Sequence, residues 1–195
     1  MPMQPAIALL EFDSIAVGIE TGDAMVKRAP LDVIKAGTVH PGKYLVLIGG
    51  RVADVEEALD AGRSTGTGHL IDEMLRPDVH DDVVAALVGG RESGTGEALG
   101  IVETTTVAAI IEAADAGVKG ASVTLREIRM ADGLGGKGYL LFSGPVAEVD
   151  AAVEIGTGRV EEQVVASRVI AQIHEEMDEN LLDDGRFRKL LKEGS

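Results

Sequence analysis

The amino-acid sequence predicts an α/β (α+β) sandwich made of two tandem βαββαβ domains, and three observations carry that prediction. The first is an internal repeat. Ala98 to Lys119 echoes Ala6 to Lys27 at an offset of 92, matching Glu11 with Glu103, Glu20 with Glu112, Asp23 with Asp115 and Lys27 with Lys119. After a two-residue slip the offset becomes 94, pairing Gly42-Lys43 with Gly136-Lys137, Val52-Ala-Asp-Val55 with Val146-Ala-Glu-Val149, and His80 with His174. The second is that short apolar runs, read as buried strands, alternate with stretches whose apolar residues recur at helical spacing. The third is the copy number. Two units are too few for a solenoid, which needs about three stacked repeats. Each copy therefore lays helices on one face of its own mostly antiparallel sheet.

Ile7 to Leu10 and Leu99 to Val102 open the copies as buried strands. Asp13-Ser14 and Thr104 to Thr106 follow, side chains suited to capping a helix start. In the second copy Val107, Ile110, Ile111, Ala114 and Val118 form the core-facing stripe, amid small residues that permit close approach. In the first copy Ile15, Ile19 and Val26 are expected to do the same. Paired strands come next, near Asp32 to Ala36 with Tyr44 to Ile48, and Val123 to Met130 with Tyr139 to Phe142. The apolar phase changes between 125 and 128, which predicts a bulge near Arg126-Glu127. Second helices follow on Val52, Val55, Ala58 and Leu59, and on Val146, Val149, Ala152 and Val153. Last strands fall near Leu70 to Leu75 and Val164 to Ile170. The domains are then 1–90 and 98–182, joined by a glycine-rich linker at 91–97, with a tail at 183–195 carrying Phe187, Leu190 and Leu191 among basic residues.

Composition narrows the function. A net charge of −15, shared almost evenly by the halves, disfavours nucleic acid and anionic membrane as partners. Aromatic residues are 3% with no Trp, too few for base-stacking platforms. The absence of Cys excludes disulfides, thiolate catalysis and Cys-ligated iron–sulfur clusters. Met-Pro-Met-Gln-Pro lacks the basic and apolar regions of a signal peptide, and no run approaches the ~18 apolar residues of a membrane span. The expectation is a cytoplasmic protein.

Neither glycine cluster is a nucleotide motif. Gly133-Leu-Gly-Gly-Lys-Gly138 lacks the spacing and the Ser/Thr of a phosphate loop, and Gly94-Thr-Gly96 misses the dinucleotide pattern. His80 and His174, at repeated positions, are expected to satisfy local hydrogen bonds, and His69 has no echo. Lys27 and Lys119 end the first helix of each copy, where a cation suits the helix dipole. No Ser/His/Asp set or paired-carboxylate cleft stands out, so no enzyme is predicted.

Glu-Thr before an Ala-rich helix ending Asp-Ala-x-Val-Lys, then Gly-Gly-Lys before an apolar strand, resembles the bacterial microcompartment shell domain. Two unpermuted copies look like the tandem-domain shell subunits typified by the propanediol-utilisation compartment. The resemblance implies a structural shell tile: a homotrimer that mimics a hexamer, packing beside hexameric and pentameric shell proteins around encapsulated enzymes. It implies that Thr38, Val39, His40, Pro41 and Gly42, with Gly133, Leu134, Gly135 and Gly136, line the central pore, and that Lys27 and Lys119 lie along the tile edge. These loops are the matched segments whose lengths differ, which suits chain facing open space. In several such subunits the position before Pro-Gly-Lys is a cysteine helping to hold an iron–sulfur cluster on the three-fold axis. Here it is His40, so no cluster and no cofactor are carried over. Three His40 imidazoles could bind a divalent metal, or titrate near about pH 6.5, or simply line the pore in neutral form. The family's Pro-Arg-Pro-His edge ending is also missing, since Arg76-Pro77 stands too far before His80. The alternative function is a cytosolic trimer that binds a metal or metabolite on its axis and never tiles.

Overall fold

A computed structural model describes residues 6–90 and 96–182. The linker reading at 91–97 therefore falls mostly outside the described residues, and the tail reading at 183–195 falls wholly outside them. The first copy runs β1 (Ala6–Phe12), α1 (Ile15–Arg28), β2 (Val33–Val39), β3 (Lys43–Gly50), α2 (Val52–Thr65), β4 (Leu70–Arg76) and α3 (Asp81–Leu87). The second runs β5 (Ala98–Thr104), α4 (Val107–Gly120), β6 (Thr124–Met130), β7 (Gly138–Gly144), α5 (Val146–Arg159), β8 (Val164–Ala171) and α6 (Glu175–Leu182), with a 3₁₀ turn at Glu161–Gln163. Each sheet is antiparallel with its middle strands first and third in its chain order, β2-β3-β1-β4 and β6-β7-β5-β8. The βαββαβ units are as expected, and the paired helices α1 and α4, and α2 and α5, repeat at the two sequence offsets.

The sequence signals map onto local structure. Ser14 and Thr106 accept hydrogen bonds from Val17 N and Ala109 N, each side chain satisfying one orphan amide of its helix. The register shift between Leu125 and Glu127 is the predicted bulge, placing Arg126 as the unpaired residue. β1 buries both faces, and Ala8, Leu10 and Phe12 pack with Met25, Val46, Ile48 and Leu59 beneath α1 and α2. Ile7, Leu9 and Met74, on the opposite face, join a second cluster that continues into the other domain.

One reading is extended and another is corrected. Each copy ends in a further helix, α3 or α6, which the βαββαβ pattern omits. α3 is capped by His80 Nδ1 accepting from Asp82 N, and its Val83 and Ala86 are buried. The other concerns Ile15, Ile19 and Val26, which are exposed rather than core. α1 meets its own sheet through Gly18, Thr21, Gly22 and Met25. Such small residues bring the helix axis close to the strands, so the isoleucines are carried onto a flank that its own sheet does not reach.

Candidate functional site

The loops read as pore-lining are built differently and meet in space. In the first copy His40, Pro41 and Gly42 join β2 to β3, while Thr38 and Val39 belong to β2. Gly42 N donates to Val39 O at 2.9 Å, and Gly42 holds φ of 100°, where glycine is favoured. In the second copy Ala131 N donates to Lys137 O at 2.8 Å, and the five residues from Asp132 to Gly136 fill the turn. His40 N donates to Asp132 Oδ1 at 3.1 Å. Gly136 passes so near that a β-carbon there would lie 3.0 Å from Pro41 Cδ. The His40 side chain is exposed, as are Gly133 and Gly135, while Leu134 is half-buried. Beside the turn, Arg129 stacks 5.6 Å from the centre of the Tyr139 ring. Burial pushes the Tyr139 phenol above its ordinary range, with Arg129 opposing.

Beneath the loops lies a first-domain ion pair whose carboxylate also reaches the second domain. Glu11 is wholly buried at the end of β1. It takes Lys43 Nζ at 2.5 Å on Oε1 and the Val107 amide at 2.8 Å on Oε2. A first-domain carboxylate thus caps the first turn of a second-domain helix, where the dipole favours negative charge. Its echo, Glu103, is only half-buried and pairs with Lys137 at 2.6 Å.

The rest of the seam is made by β4 and α3 of the first domain against α4 and β6 of the second. Arg76 pairs with Glu112 and lies 3.6 Å from Asp115 Oδ2, and the His80 amide donates to Asp115 Oδ1 at 2.9 Å. Thr106 Oγ1 bonds Asp72, and Lys119 bonds both Asp78 O and Asp115. Lys119 is therefore a residue of the internal seam. Lys27, its counterpart on the first domain, is exposed and, among the described residues, pairs only with Asp23 four residues back. His69 binds Asp13 at 2.8 Å, and His80 serves as a cap, so both histidines have local partners. Glu11, Asp72, Arg76 and Asp115 are the seam residues that reasoning from sequence missed as a set. The repeat did flag two of them, since Glu11 and Asp115 recur at offset 92.

The exposed apolar residues follow from this seam. Ile19 is 55% exposed, whereas its counterpart Ile111 is 0% exposed under the first domain. Ile34 on β2, paired with Ile48, is 37% exposed, whereas Leu125, at its register place on β6 and paired with Phe142, is 3% exposed in the sheet that α3 packs against. On the opposite side, Met177 on α6 is 55% exposed and its counterpart Val83 on α3 is 0% exposed. Each surface buried at the seam in one copy thus stands open in the other: α1 with β2 at one end of the chain, β8 with α6 at the other.

A duplicated domain with one internal seam, and with the two faces of that seam left open on its other ends, has the build of a modular structural subunit. The comparisons with known proteins agree. The BMC domain matches residues 6–79 and again 98–173. The bacterial microcompartment shell protein PduT of Citrobacter freundii is 40% identical over 177 residues, covering 90% of this chain and 96% of that one. A crystal structure of a microcompartment protein from Desulfitobacterium hafniense superposes with a TM-score of 0.78 at 38% identity, covering 90% of this chain and 99% of that one. The major carboxysome shell protein of Halothiobacillus neapolitanus is 41% identical over 90 residues, 44% of this chain and 87% of its own, as expected for one copy. The chain belongs to the BMC domain family of bacterial microcompartment shell proteins and carries that domain twice. It is a structural protein of the shell. Among the described residues no helix is long and apolar enough to cross a membrane.

Proposed function

We propose that three chains close head to tail into a pseudohexameric tile, without enzymatic activity, whose central pore passes small metabolites. One observation carries this reading: equivalent surfaces of the two domains differ in exposure where the internal seam covers one of them. Repeating that seam between chains would place Ile15, Ile19, Val26, Val33 and Ile34 against Ile170, Met177 and their neighbours. Because the contact joins unlike faces, it propagates, and three chains of two domains close a ring of six. Tiles of this shape would pack beside hexameric and pentameric shell proteins to enclose enzymes, with Lys27 and Lys119 near the borders.

Thr38 to Gly42 and Gly133 to Gly136 alternate around the axis in such a ring. Their proximity within one chain, through the His40–Asp132 hydrogen bond, supports that assignment. Among the described residues no three His, Asp or Glu of one chain are grouped to hold a metal. A metal at His40 would therefore take one imidazole from each chain. Sedimentation at micromolar concentration, followed by electron microscopy with a hexameric shell partner, tests the reading. The expected result is a trimer that enters sheets or closed shells. A stable monomer overturns it. Zinc titration of the trimer and of His40→Ala tests the metal, which requires binding that the variant loses.

A further inference from the structure

The polar contacts of the internal seam divide by the kind of atom they use. Arg76 on Glu112 and Thr106 on Asp72 join side chain to side chain. Glu11 on the Val107 amide and Asp115 on the His80 amide, at 2.8 and 2.9 Å, join a carboxylate to backbone. Carried to the free ends at offsets 92 and 94, the first kind fails, because Ile170 stands for Arg76 and Ala166 for Asp72. The second kind survives, because a backbone N–H is present whatever the side chain. Glu103 stands for Glu11 and Asp23 for Asp115, while Ile15 and His174 hold the places of Val107 and His80.

Both halves of the first contact stand open. Glu103 repeats the ion pair of its twin, taking Lys137 Nζ at 2.6 Å on Oε1 where Glu11 takes Lys43 Nζ at 2.5 Å on Oε1. Glu11 gives its Oε2 to Val107, whereas among the described residues Glu103 Oε2 accepts no hydrogen bond. The Ile15 amide, first in α1, likewise donates to no described acceptor, since the Ser14 cap serves the Val17 amide. α1 has no acidic residue in its first turn, where the helix dipole favours a carboxylate.

We infer that Glu103 of each chain caps α1 of the next, taking its Ile15 amide on Oε2 while Lys137 keeps Oε1. The cap rests on the three-chain ring proposed above and supplies what an apolar seam lacks. Apolar burial has no direction, whereas a carboxylate on one amide fixes the register of the two faces. Lys137 directly follows the Gly133 to Gly136 turn, so the contact ties that turn in one chain to a helix of its neighbour. Asp23 faces the neighbour's His174 amide by the same rule. Glu103 is thus a positioning residue of the contact between chains.

Sedimentation equilibrium over a dilution series tests the cap in the full chain. Glu103→Ala should keep a thermal midpoint within about 4 °C of the parent when both are monomeric. It should raise the concentration at half-assembly at least about tenfold, the loss expected for a hydrogen bond to a charged group. Ile15→Pro removes the amide at the first helical position, where proline is tolerated, and should weaken assembly more than Ile15→Ala, which keeps the amide. Glu103→Ala added to Ile15→Pro should then cost under about twofold more. If the proline variant misfolds, Glu103→Gln decides, because its uncharged acceptor should restore part of the assembly that Glu103→Ala loses. A glutamine variant no better than alanine overturns the cap. So does a trimeric parent whose assembly Glu103→Ala leaves unmoved, or a double variant in which the two effects multiply in full. Those results leave the ring standing, whereas a parent that sediments as a monomer removes ring and cap together.

Discussion

A β-carbon on Gly18 would come within 2.5 Å of Tyr44 Cδ1, whereas one on Gly22, a turn later, would meet only Val46 methyls at 3.8 and 3.9 Å. Both glycines are buried on the same face of α1. Replacing glycine by alanine inside a helix gains up to about 1 kcal/mol of propensity, while overpacking costs about 1–3 kcal/mol. Urea unfolding should therefore show Gly22→Ala stabilising and Gly18→Ala destabilising, and equal shifts would show that packing under α1 does not limit the helix. Glu11 gives a sharper contrast with its echo. Glu11→Ala leaves the half-buried Lys43 ammonium and the Val107 amide unpaired, and should cost about 3 kcal/mol. Glu103→Ala breaks an exposed pair and should cost under about 1 kcal/mol in the single chain. Denaturation midpoints that move equally would remove the interdomain role of Glu11.

At the scale of elements, α1 and α4 are the same helix in two settings. α4 is buried on both its sheet side and its seam side, so Val107, Ile110 and Ile111 all lose exposure. α1 is covered on its sheet side alone. Ile111→Asp should prevent folding, because it buries an unpaired carboxylate. Ile19→Asp should fold normally and sediment as a monomer. A trimer formed by Ile19→Asp would show that α1 is not a chain-to-chain face. The two seams are also unequal. Arg76 bonds Glu112 inside the chain, while Ile170 stands at its place on β8. In the proposed ring the contact between chains would lack that ion pair and rest more on apolar burial, so dilution should separate chains before heat separates domains.

At the scale of the whole molecule, Lys27 and Lys119 no longer count as equivalent. Lys119 closes the seam through Asp78 O and Asp115, whereas Lys27 pairs with Asp23 on its own helix. Lys27→Ala should leave thermal stability nearly unchanged, since an exposed helix-end cation contributes about 0.3–1 kcal/mol. Lys119→Ala should lower it further. If both also border the tile, the double variant should form trimers that no longer assemble into sheets under the microscope. Normal sheets from the double variant would confine the pair to helix ends and seam.

Much of this was legible along the chain. The repeat located every paired element, because duplicated domains keep their boundaries, and the phase change at Arg126-Glu127 located the bulge. Apolar spacing alone could not tell which flank of α1 is covered, since Ile15, Ile19 and Val26 read the same beside a sheet or beside another subunit. The short helices α3 and α6 escaped because seven or eight residues carry little periodicity, and α3 is held by its burial against the next domain. Sequence by itself determined the duplicated βαββαβ fold, its acidic thiol-free chemistry and the loops that differ between copies. Tertiary structure alone decided that Glu11 caps a helix of the other domain and that one face of each copy is buried while its twin is open. Those facts depend on residues from 34 to 96 positions apart meeting across a seam, and no local pattern encodes that.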